Sequence, residues 1–146
     1  MRIYLDTCSL QRPLDSKSQI RILLEADAIL GIIALCEANS LELISSAVLL
    51  FEAENNPNRM RRIYAFELLA KARVFVDLQQ QIETRAAYFN AQGIKPLDAL
   101  HLASAEEANA DYFCTCDNQF LKRAQAISEL KTKVVSPLEL VKEIEP

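Results

Sequence analysis

Five short strand-type runs, separated by helical stretches, constrain the fold of this 146-residue chain more than any other feature. The runs are Arg2–Leu5, 41–45, Val74–Val76, Tyr112–Cys114 and Lys133–Val135. Each is too short for a stable helix and rich in apolar residues, as expected of buried strands. Residues 18–39 carry Ile22, Leu23, Ala26, Ile29, Leu30, Ile33 and Leu35 mostly at helical spacing, which predicts a long helix. Further helices are expected at 46–54, 59–72, 79–92, 96–109, 118–126 and Pro137–Ile144. Pro96 suits a first helical position, and Gly93 stops the helix before it. Residues 7–17, with Pro13 and Asp15, are expected to be a polar loop. Strands alternating with helices predict an α/β fold, a parallel sheet covered by helices on both faces. Length and the absence of linkers or repeats predict one domain over 1–146, and a 51% hydrophobic content is ample for its core.

Four carboxylates occupy corresponding places in this pattern. Asp6 follows the first strand, and Asp117 follows Phe113-Cys114-Thr115-Cys116. Asp98 lies in the first turn of a helix, where the helix dipole and exposed amides favour an anion. Glu52 lies further along its helix, with a side chain long enough to reach inward. In a parallel sheet, strand ends and the starts of the following helices meet at the carboxyl edge. Four acids there repel one another unless a hard cation sits between them, which is the arrangement of a metal-dependent phosphodiesterase. Thr7, Thr115 and Asn118 stand beside these acids and are candidates to hold a carboxylate or a water through hydrogen bonds. His101, the only histidine, is one helical turn from Asp98; its apolar neighbours favour packing over proton transfer.

Other chemistries find little support. With 2 glycines, neither in a phosphate-binding motif, the sequence argues against a glycine-rich cradle. A net charge of −4 gives no global signal for nucleic acid, so binding would rest on local groups such as Arg59, Arg61, Arg62, Lys71 and Arg73, or Lys122, Arg123, Lys131 and Lys133. Arg12 reads as a solvated side chain. Cys8, Cys36, Cys114 and Cys116 form no CxxC pair, and with no signal peptide they read as reduced thiols of a cytoplasmic protein. Cys114, Cys116 and His101 offer too few ligands for structural zinc. No apolar stretch is long enough to span a membrane. An aspartyl phosphatase normally places a second acid two residues after the first, where Cys8 stands. A receiver-like domain lacks its late-strand lysine.

The stretches LDTCSL, SSAVLLFE, PLDALHLASAEEANADYF and TCDNQF, in this order, resemble the four acidic segments of the PIN-domain nucleases, including VapC-type toxins. The match of Asp98 with Ala99, His101 and Ala103 is the most specific, and the Glu52 segment the loosest. The resemblance implies a three-layer α/β/α sandwich with five parallel strands in the order 3-2-1-4-5. It implies a pocket of Asp6, Glu52, Asp98 and Asp117 that binds Mg2+ or Mn2+, and single-stranded RNA as substrate. It also carries an antitoxin protein as a partner and a homodimer. Apolar residues on more than one side of the 18–39 helix, Ile20, Ile29, Ile32 and Ile33, agree with a dimer, as do Tyr64 and Phe66. Cys8 stands where the family often has serine or asparagine, and Gln119 where many members have another aspartate. The competing reading within the family is a catalytically inactive binding module acting through protein or RNA partners.

Overall fold

The computed structural model describes residues 1–145. Strands β1 (Arg2–Leu5), β2 (Glu42–Ser46), β3 (Val74–Val76), β4 (Tyr112–Cys114) and β5 (Lys133–Val135) form one sheet in the order β3-β2-β1-β4-β5. Every pairing is parallel, with Ile3 opposite Leu43 on one side and Tyr112 on the other. β1 is central and buried on both faces: Ile3, Tyr4 and Leu5 have no exposed surface. That explains an uninterrupted apolar run where a one-sided strand would alternate.

The chain steps from β1 to β2 to β3, then returns past β1 to add β4 and β5. Right-handed crossovers put the helices of the outward and return paths on opposite faces. The strand order therefore reverses between β1 and β4, and a crevice opens beyond their carboxyl ends at such a switch point. Asp6 follows β1 and Asp117 follows β4 at this place.

The helices are α1 (Thr7–Leu10), α2 (Ile20–Glu37), α3 (Ala47–Glu54), α4 (Arg59–Leu69), α5 (Gln80–Ala91), α6 (Pro96–Glu107), α7 (Asn118–Gln125) and α8 (Pro137–Ile144). Ser46 ends β2 and caps α3 by accepting the Leu49 N–H at 3.0 Å. Gly93, at φ 99°, ends the α5 turn in the left-handed region that glycine adopts without strain.

Two expectations are corrected here. Residues 7–17 are not a plain loop: α1 starts directly at Asp6, and a 3-10 turn follows at Arg12–Leu14. Four residues cannot display a helical period, so only the Asp6 cap marks this helix. Ile29, Ile32 and Ile33 all reach the core, leaving Ile20 as the exposed member of that set. Exposed apolar side chains remain on α2, with Leu23, Leu24 and Leu30, and on α3, α4 and the edge strand β3, with Phe51, Met60, Ile63, Phe66 and Phe75.

Candidate active site

Asp6 leaves β1 and becomes the N-cap of α1. Its Oδ1 accepts the Ser9 N–H at 3.1 Å and the Cys8 thiol at 3.1 Å. The residue is 5% exposed. Burial lifts its carboxyl well above the usual range and Cys8 adds to the rise, while the Thr115 hydroxyl and the Ser9 N–H oppose it.

Asp98 is the third residue of α6, half-buried behind Pro96. Burial raises its pKa, His101 opposes the rise, and the charges of Asp117 and Glu52 add to it. Asp98 thus lies within the field of both Asp117 and Glu52. Asp117 is the exposed N-cap of α7; its Oδ1 accepts the N–H groups of Gln119 at 2.9 Å and Phe120 at 3.1 Å. A small cleft lined by Lys95, Asp98, Asp117, Gln119 and Arg123 joins the starts of α6 and α7.

Glu52, rather than its neighbour Glu54, faces the site. Its Oε1 accepts a hydrogen bond from the Thr7 hydroxyl and lies 2.9 Å from His101 Nε2. Burial pushes the Glu52 pKa up, but His101 and Thr7 outweigh it and the net shift is downward. His101 is 1% exposed, and its Nδ1 lies 2.7 Å from the Tyr4 hydroxyl, which lies 2.7 Å from Ser46 Oγ. The packing role expected for His101 is therefore incomplete: it is a buried polar link to a site carboxylate. Its sequence signal was the one-turn spacing from Asp98. For Tyr4 the signal was its place two residues before Asp6, on the same side of a strand.

The supporting residues divide. Thr7 contacts Glu52, and Thr115 accepts the Asp117 N–H at 3.1 Å while touching Asp6. Asn118 turns to Arg21 instead, accepting from Nη2 at 3.1 Å; the same nitrogen donates to the Cys116 carbonyl at 2.6 Å. Arg12 is not the solvated side chain expected. It ion-pairs with buried Glu25 at 2.6 Å and with Asp15 at 3.0 Å. Arg21, absent from the residues singled out by sequence, ties α2 to the turn that carries Asp117.

Among the described residues, no group of three or more His, Cys, Asp and Glu side chains closes tightly enough to hold an ion. The acids line one edge without forming a finished coordination shell. Their chemistry nevertheless fits a hard divalent cation. The donors are carboxylate oxygens with threonine hydroxyls behind them. Glu52 and Asp117 each spend one oxygen on protein hydrogen bonds, and Asp98 spends neither. Burial is the main cause of the raised pKa values of Asp6 and Asp98, a cost that a bound cation would offset.

The PIN domain family model matches residues 3–126. The chain belongs to the PIN domain family. No curated protein matches the chain at a significant level. Solved structures share the PIN fold. They include FitAcB from Neisseria gonorrhoeae (18% identity, TM-score 0.57, covering 93% of this chain and 98% of that one). VapBC2 from Rickettsia felis, bound to a DNA fragment from its promoter, matches with 13% identity and TM-score 0.61 over 93% and 98%. VapBC-1 from nontypeable Haemophilus influenzae matches with 22% identity and TM-score 0.52 over 94% and 99%. At these identities the likeness is one of fold, and this PIN domain's site stands on its own residues.

Proposed function

We propose that this PIN domain is a metal-dependent endoribonuclease that hydrolyses phosphodiester bonds in single-stranded RNA, and that it is the toxin of a toxin–antitoxin pair. The observation that carries the reading is the meeting of Asp98 and Asp117 on one cleft at the sheet edge where buried Asp6 also ends its strand, with Glu52 tied through His101 to the same helix as Asp98. Asp6 and Asp98 would hold Mg2+ or Mn2+, with Asp117 and Glu52 completing the set. When bound, the cation supplies Lewis-acid polarisation of the phosphodiester and of water near neutral pH. Glu52 and Asp117 orient the attacking water through the oxygens that the protein leaves free. Thr7 keeps Glu52 in place, and Thr115 supports both Asp6 and the Asp117 turn. Lys95 and Arg123, on the rim of the cleft with Asp98 and Asp117, supply positive charge for the flanking phosphates.

The VapBC complexes among the fold neighbours support an antitoxin as partner. The exposed apolar side chains of Phe51, Met60, Phe66 and Phe75 support a homodimer. No helix among the described residues is long and apolar enough to cross a membrane, in keeping with a cytoplasmic site of action. The open spacing of the acids favours one alternative, a PIN-like module that binds RNA or protein without cutting it. Purified protein incubated with single-stranded RNA and Mn2+ separates the two. Cleavage is expected in wild type and should fall at least about a hundredfold in Asp6→Asn and Asp98→Asn, as for loss of essential metal-site groups. Cleavage that survives in either variant contradicts the site, and RNA binding without cleavage in wild type favours the module.

A further inference from the structure

We infer that His101 is a positioning residue for Glu52, its Nε2–H held toward the carboxylate by the contacts its other ring nitrogen makes with Tyr4 and, through it, Ser46. The inference rests on the reading of Glu52 as a site carboxylate, and it goes further by fixing how that carboxylate is held.

The argument is a count of donors and acceptors. An ionised carboxylate only accepts, so the nitrogen 2.9 Å from Glu52 Oε1 must carry a hydrogen. A proton on Nδ1 alone would set the Nε2 lone pair against that carboxylate oxygen. On the other side of the ring, Nδ1 lies 2.7 Å from the Tyr4 hydroxyl, which lies 2.7 Å from Ser46 Oγ. Ser46 Oγ in turn accepts the Leu49 N–H at 3.0 Å. Ser46 and Tyr4 have no exposed surface, so this chain of contacts, and not solvent, holds the ring on that side.

The chain crosses four elements: Ser46 on β2, Tyr4 on β1, His101 on α6 and Glu52 on α3. Tyr4 is itself fixed by stacking on Phe113 at 5.1 Å, and it meets the His101 ring edge-on at 5.8 Å. His101 is 1% exposed, so it meets Glu52 and not solvent. Its task is to hold Glu52 Oε1 and leave Oε2 to act. This is the service that ring N–H groups and carboxylates give one another around metal sites.

The chain contains a single histidine, so nitrogen NMR of uniformly labelled protein reads His101 without assignment. In metal-free wild type a fixed proton on Nε2 is expected. A proton on Nδ1 alone, or a rapidly exchanging mixture of tautomers, overturns the inference. In Tyr4→Phe, which keeps the ring and loses the hydroxyl, the ring-nitrogen signals should move toward a mixture. An unchanged spectrum there removes Tyr4 from the chain. In RNA cleavage, His101→Leu should lower kcat by about 10–100-fold with little change in KM. His101→Gln retains an N–H for Glu52 and should recover part of that loss. Equal losses in the two variants, both folded by thermal melting, contradict a positioning role. Should wild type cut no RNA, the nuclease reading fails on its own. The tautomer is read from the spectrum in either case.

Discussion

Asp6 is asked to do two opposed things at once. Its Oδ1 caps α1, yet burial raises its carboxyl well above the ordinary range, so the charge is costly when no cation is bound. Asp98 has the same sign of shift. A carboxyl whose folded pKa exceeds its unfolded value adds stability that is complete below the unfolded value, about pH 4. That stability is lost as pH rises through the folded value. Glu52 has the opposite sign: its contribution is present above its unfolded pKa and is lost as pH falls through the lowered one. The Asp6→Asn/Asp98→Asn variant keeps the Glu52 contribution and the capping acceptor. Its metal-free melting temperature should therefore exceed that of wild type by a margin that widens from about pH 4 to pH 7. A margin independent of pH would show that these two groups do not carry the cost. The positions of Asp6, Asp98 and Asp117 were legible in the sequence because each follows a strand or opens a helix, and topology brings such places together; Glu52, in the second turn of its helix, was the loosest of the four. His101 was not legible in this way. On an apolar helix its spacing looks the same for packing as for a link to Glu52, and only the contact between α3 and α6 decides.

At the scale of elements, strands and long helices follow directly from apolar patterning. The short α1 and its tether do not, because they rest on side chains distant in sequence. Glu25, on the buried side of α2, takes Arg12 at 2.6 Å and Arg21 at 3.4 Å. Arg12 also reaches Asp15, which Arg61 of α4 meets at 2.8 Å. Arg21 continues to the Cys116 carbonyl, next to Asp117. This ionic line fastens the segment after β1 to α2, α4 and the β4–α7 turn. No local signal marks Glu25, since a charge on an amphipathic helix normally faces water. Glu25→Ala would leave Arg12 without its buried partner and should destabilise the fold by about 2–3 kcal/mol. That is less than for a fully buried pair, because Arg21 is largely exposed and screened by solvent. Urea unfolding measures it, and a change near zero would show that the pairing contributes nothing net.

The whole molecule places its chemistry where the strand order reverses and its apolar surplus on another side. Phe51 on α3, Met60 and Phe66 on α4 and Phe75 on the edge strand β3 are all exposed, and Phe66 and Phe75 line one face. A dimer through that face would cover the edge and leave the acids open. Light scattering at micromolar concentration should give about twice the single-chain 16.4 kDa, and Phe51→Glu should shift the mass toward one chain. A wild-type mass of 16.4 kDa would reject the dimer. The parallel order β3-β2-β1-β4-β5 was expected from the family resemblance and is what the fold shows; surplus apolar surface on α4 was read from Tyr64 and Phe66, while Phe51 and Phe75 were not singled out, because a local period does not say which stripe meets the core. The central claim is that the carboxylates at the switch point hold a divalent cation. Calorimetric titration of Mn2+ tests it most directly: wild type should take up the ion near neutral pH, and the Asp6→Asn/Asp98→Asn variant should lose that uptake. Equal uptake by both proteins would contradict the claim.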